Sequence, residues 1–247
     1  MRISVIVITK NEAASIARCL ESVSWADEII VLDSGSTDDT VSICREYTPN
    51  VHQTDWPGFG PQKNRALDRA SGDWVLSLDA DEWVMPALRD EIARVVAQPQ
   101  DVAAFRVPRL SSFCGKFMRH SGWWPDHVVR LFRRGAAKFS DDVVHERVVV
   151  DGKTGTLHTP LMHETFVDLE ELLAKMNNYS TLSAQDKHRD GKRTGLSKAV
   201  ARAAWAFIRT YFLRGGFLDG REGFMLAVAT AEGTYYRYVK LLLLQKK

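Results

Sequence analysis

Residues 73–84 read DWVLSLDADEWV, an apolar run closed by three acids within four residues, Asp79, Asp81 and Glu82. The run reads as a strand, and the acids sit where it ends. Like charges this close repel, and a buried carboxylate needs a partner. The stretch therefore predicts a cationic partner at a strand's carboxyl end.

Working outward, the same pattern repeats. ISVIVIT (3–9) is β-branched and apolar on both faces, the mark of a strand buried inside a parallel sheet. Asn11 is expected to cap a helix carrying Ile16, Leu20 and Val23. EIIVLD (28–33) is a second buried strand, followed by the turn DSGSTDDT and a helix beginning at Asp38. VHQTDW (51–56) reads as a third strand, Gln62 to Ala70 as a helix, and Pro86 to Ala97 as the helix after the fourth strand. Four strand–helix alternations in the first hundred residues predict an α/β, doubly wound Rossmann-like sheet with right-handed crossovers. Such sheets take ligands beyond the carboxyl ends of their strands. Asp33, Asp79 and Asp81 should then converge on one crevice.

From about Val102 the helical alternation gives way to strands and loops, a mixed or antiparallel extension. Asp168 to about Lys187 is helical, and DKHRDGKRTG (186–195) reads as a linker. The expected organisation is a catalytic domain over 1–186, made of a nucleotide-binding half (1–100) and an acceptor half (101–186). A basic, amphipathic helical region over 187–247 follows.

The chain has 247 residues and a formal net charge of only +2, which argues against a dedicated nucleic-acid binder. The balance is uneven. Lys187–Lys247 holds thirteen Lys and Arg against four Asp and Glu, a net of +9, so the residues before it carry −7. On a helical wheel for Leu196–Arg214, Leu196, Val200, Ala203, Phe207 and Tyr211 fall on one side, with Lys198, Arg202 and Arg209 on the other and Trp205 among them. The tail is expected to pack on the protein with one face and to touch an anionic membrane with the other. No run approaches the roughly 20 apolar residues of a spanning helix. The three cysteines suggest neither a disulfide framework nor a zinc site. MRISVIVITKNE reads as the first strand of a cytoplasmic protein and not as a secretory signal.

Two aspartates one residue apart in a turn can aim at one hard cation. Mg2+ or Mn2+ accepts a few protein oxygens and leaves positions for phosphate and water. Asp33, before Ser-Gly-Ser, is placed to accept an N–H from a pyrimidine base. His163 ends an apolar strand, where it either ligates the metal, contacts a diphosphate, or sits satisfied in the core. Neither His145-Glu146 nor His163-Glu164 is followed by a second His at zinc-protease spacing. Trp123 and Trp124 offer flat faces to a sugar, or pack a loop. Arg130, Arg133 and Arg134 suit acceptor phosphates.

VIVITKNEAASIARCLESV, VLDSGSTDDTVSI and GPQKNRALDRASGDWVLSLDADE together resemble the nucleotide-binding half of family 2 glycosyltransferases, which have the GT-A fold. GWWPDHVVRLFRR, DDVVHERV, LMHETF and FLDGREGF resemble a narrower group, the lipopolysaccharide core enzymes that add glucose or a related sugar to the inner core. The resemblance implies a nucleotide site lined by Thr9, Asn11 and Glu12, with Asp33 on the base, Lys63 near the diphosphate and Asp79 near the ribose. It makes Asp81 the chief metal contact. The implied reaction is metal-dependent, inverting transfer from a nucleotide sugar such as a UDP-sugar to a saccharide hydroxyl, at the cytoplasmic face of the inner membrane. The chain has Asp-Ala-Asp-Glu where many members end in Asp-Asp, leaving Glu82 either at the cation's water shell or at a helix terminus.

Glycosidic bond formation needs a base for the acceptor proton. Glu146 is the candidate, with Asp141 and Asp142 as rivals and His145 orienting it or touching the acceptor. Two other classes compete. A nucleotidyltransferase also holds nucleotide and magnesium, but it usually has a Gly-rich basic loop after the first strand, where this chain has TKNEAAS. A non-catalytic nucleotide or membrane adaptor would need no base.

Overall fold

The structure, a computed structural model, describes residues 1–98, 101–140, 147–166 and 168–245. The elements run β1 (Ile3–Thr9), α1 (Ile16–Ser22), β2 (Glu28–Asp33), α2 (Thr40–Tyr47), β3 (Val51–Gln53), α3 (Phe59–Leu67) and β4 (Trp74–Asp79). Then come β5 (Glu82–Trp83), α4 (Pro86–Ala97), β6 (Ala104–Phe113), β7 (Lys116–Phe117), β8 (Asp126–Arg133), β9 (Ala137–Phe139), β10 (Val148–Val150), β11 (Thr154–Thr156) and β12 (Leu161–Phe166). Three helices close the chain: α5 (Leu169–Arg189), α6 (Leu196–Ile208) and α7 (Gly220–Leu244). A π turn (Arg209–Leu213) and a 3-10 turn (Gly216–Asp219) separate the last two.

In sheet order the strands are β3-β2-β1-β4-β8-β6-β12-β5. The first four are parallel, and β8 and β6 add antiparallel. This is the α/β sheet with a mixed extension and C-terminal helices that the sequence predicts, consistent with a GT-A fold. The β-branched run of β1 shows why. Val5 and Val7 join one apolar cluster with Ile16, Leu20 and Ile92, while Ile6 and Ile8 join another with Ala66, Ala70 and Phe132. Alternate side chains leave opposite faces of a strand, so a strand apolar on both faces is driven between two layers.

The chain forms two compact units, Met1–Arg109 with Asp126–His163, and Leu110–Pro125 with Glu164–Lys247. The boundary expected between residues 186 and 187 falls inside α5, in the second unit. The expected linker 186–195 is helical up to Arg189.

Within the second unit, Asp219 ties the tail to residues 116–121. Its buried carboxylate accepts from the backbone N–H groups of Arg119 (3.2 Å) and His120 (3.0 Å) and from the Ser121 hydroxyl (3.1 Å). Its carbonyl accepts from Lys116 Nζ at 2.5 Å. At Gly223 a Cβ would meet the Gly216 carbonyl oxygen at 1.9 Å, so only glycine allows this approach. Trp123 packs edge-on to Phe113 (6.1 Å) and tilts against Phe166 (6.2 Å), in the unit's apolar cluster.

Candidate active site

The site lies in the first unit, at the carboxyl ends of β1, β2 and β4. Register sets Thr9 beside Asp33 and Ile8 beside Asp79. Asn11 does not cap α1, whose N-cap is Ser15. Its backbone has φ +56°, and its side-chain oxygen accepts from Thr37 N at 2.8 Å while its N–H donates to Ser36 Oγ at 2.8 Å. Glu12 N–H donates to Thr40 Oγ1 at 2.8 Å, and its carboxylate accepts from Ser15 Oγ. Asp38 accepts from Ala13 N at 3.2 Å, and with these bonds the loops after β1 and β2 brace one another.

Asp33 is fully buried, and its carboxylate accepts from Gly35 N and Ser36 N, both at 3.0 Å, and from Ser36 Oγ. It shapes the Ser-Gly-Ser turn from within. The Thr9 hydroxyl is buried at the end of β1 with no hydrogen-bond partner among the described residues. A buried polar group without a partner is costly, and one at the carboxyl end of a parallel strand marks where a ligand can donate or accept. Gln62, unremarked in the sequence, is buried and donates to both Ser34 Oγ and Thr54 Oγ1.

The acids after β4 find their cations in distant elements. Lys63 is no solvated helix lysine. It is 3% exposed, its Nζ lies 2.9 Å from Asp79 Oδ1, and the Phe139 ring lies 5.7 Å from it. Asn64 explains this placement: its amide both donates to and accepts from the Phe139 backbone at 2.9 Å, clamping α3 to β9. Arg130, expected on the acceptor, instead spends one Nη on Asp79 and on Glu82 Oε1 (2.6 Å), and is itself buried. Glu82 is wholly buried, accepts from Asp79 N at 3.1 Å, and meets Arg109 Nη1 at 3.4 Å. It touches neither a helix terminus nor solvent. Arg109 continues to Asp126 at 2.7 Å, its register partner on β8. Arg133 and Arg134 lie near Trp74, at the other end of β4, donating to the carbonyls of Val102 and Gly72. They cannot serve this site.

Burial alone would push the Asp79 carboxyl up. The charges of Arg130 and Lys63 outweigh it and hold Asp79 well below the usual carboxylate range. Cys19, which donates to the Asp79 carbonyl, goes the other way: burial, then Glu82, Asp81 and Asp79, push its thiol well above its usual value, leaving an inert thiol.

Among the described residues three cations thus face four carboxylates, and the acid not met by Lys or Arg is Asp81. Its Oδ2 lies 3.3 Å from His163 Nε2, because β12 pairs with β5 and sets His163 opposite Glu82. Two ligands at right angles on an ion with bonds of about 2.1 Å lie about 3 Å apart, so this pair fits one octahedral cation. No group of three or more His, Cys, Asp or Glu forms a metal site among the described residues. Among the described residues a cation here would keep these two protein ligands, with room for phosphate and water. Beside the pair, Lys63, Asp79, Arg109, His127, Arg130 and Arg147 line an open cleft of about 400 Å3.

A family model for glycosyl transferase family 2 matches residues 4–149, the strands and loops just described. The chain belongs to glycosyl transferase family 2. This glycosyltransferase is 31% identical over 255 residues to the lipopolysaccharide core biosynthesis glycosyltransferase LpsC of Rhizobium meliloti, covering 96% of this chain and 93% of that one. It is 32% identical to an uncharacterized glycosyltransferase of Rickettsia prowazekii, covering 97% and 86%. Among solved structures, glucosyl-3-phosphoglycerate synthase of Mycobacterium tuberculosis, in complex with Mg2+ and uridine diphosphate, matches at 29% identity with a TM-score of 0.38. That match covers 46% of the glycosyltransferase and 44% of the synthase.

Glu146 and His145, with Asp141 and Asp142, lie outside the described residues. Trp123 and Trp124 belong to the second unit, Trp123 in its apolar cluster and Trp124 with the Arg119 guanidinium 5.8 Å from its ring. Arg109 and Gln62 were missed by sequence reading. The one local signal was Arg109 alternating into an apolar strand.

Proposed function

We propose that this glycosyltransferase moves a hexose, glucose or a close relative, from a UDP-sugar to a hydroxyl of a lipopolysaccharide inner-core or other lipid-linked saccharide, inverting the anomeric centre. The observation that carries the reading is the Asp81–His163 pair, the acid that among the described residues has no Lys or Arg partner, beside an Asp79 held ionised by Lys63 and Arg130. Likeness to the Rhizobium core enzyme over nearly the whole chain supports the acceptor class.

Asp81 and His163 would hold Mg2+ or Mn2+, whose Lewis acidity stabilises the departing diphosphate. Lys63 and Arg130 keep Asp79 an acceptor at all working pH values, suited to ribose hydroxyls. The Thr9 hydroxyl and the braced loops carrying Asn11 and Glu12 shape the nucleotide pocket, with Asp33 fixing the turn beneath the base. Glu146 is assigned the acceptor proton and His145 its orientation. Trp124 and Trp123 remain assigned to the acceptor sugar, Trp123 through its packing. Among the described residues no helix is long and apolar enough to cross a membrane. We place the enzyme at the cytoplasmic face of the inner membrane by peripheral contact.

The test is a thermal-shift screen of nucleotide sugars with Mn2+ or Mg2+, followed by turnover. A native-state ligand raises the melting point. A UDP-hexose should do so only with metal present, and Glu146→Gln should abolish turnover while keeping that shift. No shift with any nucleotide sugar overturns the reading.

A further inference from the structure

Helix α6 turns apolar side chains in two directions. Inward go Ala199, which is buried, and Phe207, whose ring packs on Tyr211 (5.5 Å) and Phe224 (5.7 Å). This differs from the helical-wheel expectation, since Leu196 and Val200 stand more than half exposed. A helix needs only one apolar stripe to pack. A second stripe nevertheless faces outward: Trp205 is 52% exposed and Ile208 42%, and the π turn continues it with Phe212 at 56% and Leu213 at 66%. The 3-10 turn that follows adds Phe217 and Leu218, at 51% and 60%. Isolated exposed apolar residues need no explanation, but a run of this kind on consecutive elements does.

The charges beside the stripe are of one sign. Lys198, Arg202 and Arg209 are exposed and form no ion pair among the described residues. At 100° per residue Lys198 and Arg202 fall together along one flank of the Trp205–Ile208 stripe of α6, and Arg209 opens the π turn that continues it. Between Lys192 and Arg221 the only acid is Asp219, and it is buried.

We propose that this face, the outward stripe of α6 with the π and 3-10 turns, inserts into the interface of an anionic lipid bilayer. The inference deepens the peripheral contact assigned above, and rests on it, by naming the surface that makes it. Apolar side chains would sit in the headgroup–acyl boundary, as in interfacial amphipathic helices, with Trp205 at headgroup level. Lys198, Arg202 and Arg209 would meet lipid phosphates. A second copy of the chain fits less well. A two-fold interface presents the same patch to itself, and this patch holds cations with no exposed acid to answer them.

The experiment is flotation of the full chain with vesicles of phosphatidylcholine, with and without 30% phosphatidylglycerol, beside analytical ultracentrifugation. The wild type should float with anionic vesicles. Lys198→Gln, Arg202→Gln and Arg209→Gln together should weaken partitioning on the order of a hundredfold, at roughly fivefold per charge. Phe212→Ser with Leu213→Ser should abolish the part that survives high salt. Far-UV circular dichroism and melting of each variant identify any that misfold, and Arg209→Lys should restore binding. If the wild type ignores anionic vesicles, the peripheral contact itself fails. If it floats and the variants float equally, this face is not the one used. A stable dimer abolished by Phe212→Ser, without vesicle binding, would assign the face to a second copy and overturn the proposal.

Discussion

Asp81 Oδ2 and His163 Nε2 lie 3.3 Å apart, the spacing of two neighbouring ligands on one octahedral ion. Neither residue is near the other in sequence. Antiparallel pairing of β5 with β12 brings them together.

Replacing His163 by Ala should remove one of the two proposed protein ligands and leave the fold intact, since the side chain keeps some exposure. The apparent Mn2+ affinity, read by electron paramagnetic resonance, should fall about tenfold or more, and Asp81→Ala should abolish metal-dependent turnover. Unchanged Mn2+ binding in both variants would remove the metal assignment.

Lys63→Met should destabilise the protein. It removes a buried cation from Asp79, and breaking a buried pair costs about 3–5 kcal/mol. Because the Asp79 side chain is 31% exposed and keeps Arg130, a loss of about 2 kcal/mol is expected. Urea unfolding measures it. A loss below roughly 0.5 kcal/mol, the usual range for surface sites, would mean that Lys63 is solvated.

Glu91 offers a test of pH dependence away from the site. Burial opposes its ionisation, but hydrogen bonds from Thr159 N (2.8 Å) and His158 N (3.0 Å) prevail and hold its carboxyl below the usual value. A depressed folded-state pKa contributes stability above the unfolded value, about 4.3 for Glu, and loses it as pH falls through the folded one. The melting-point gap between wild type and Glu91→Gln should therefore be widest near pH 7 and narrow below about pH 4. A gap constant from pH 7 to 3 would contradict the assigned hydrogen bonds.

Asp219→Ala should cost about 1–3 kcal/mol, the range for leaving buried donors unpaired, because the N–H groups of Arg119 and His120 lose their acceptor. Hydrogen exchange should show those two amides losing protection before the strands of the sheet do. Equal protection in both proteins would mean that the tail does not order residues 116–121.

The sequence by itself determined the sheet. An apolar, β-branched strand with polar turns on either side has few stable environments, so β1, β2 and β4, and the acids ending β2 and β4, were legible from the apolar runs and the turns that close them. It also determined that the acids needed cations. Which cation meets which acid was decided only by tertiary structure. Arg130 reaches Asp79 across 51 residues and Glu82 across 48, and Lys63 arrives from a helix clamped to β9. Local periodicity assigns a side chain to a face but does not say what will cover that face. For that reason Arg130 reads as an acceptor contact in the sequence and stands as a buried counter-ion in the fold. For the same reason Asp33, legible as a strand-end acid placed to meet a base, has its carboxylate taken up by its own loop. In α6 the wheel shows an apolar side. Only packing against α7 decides that the Phe207 side is covered and the Trp205 side is left facing out.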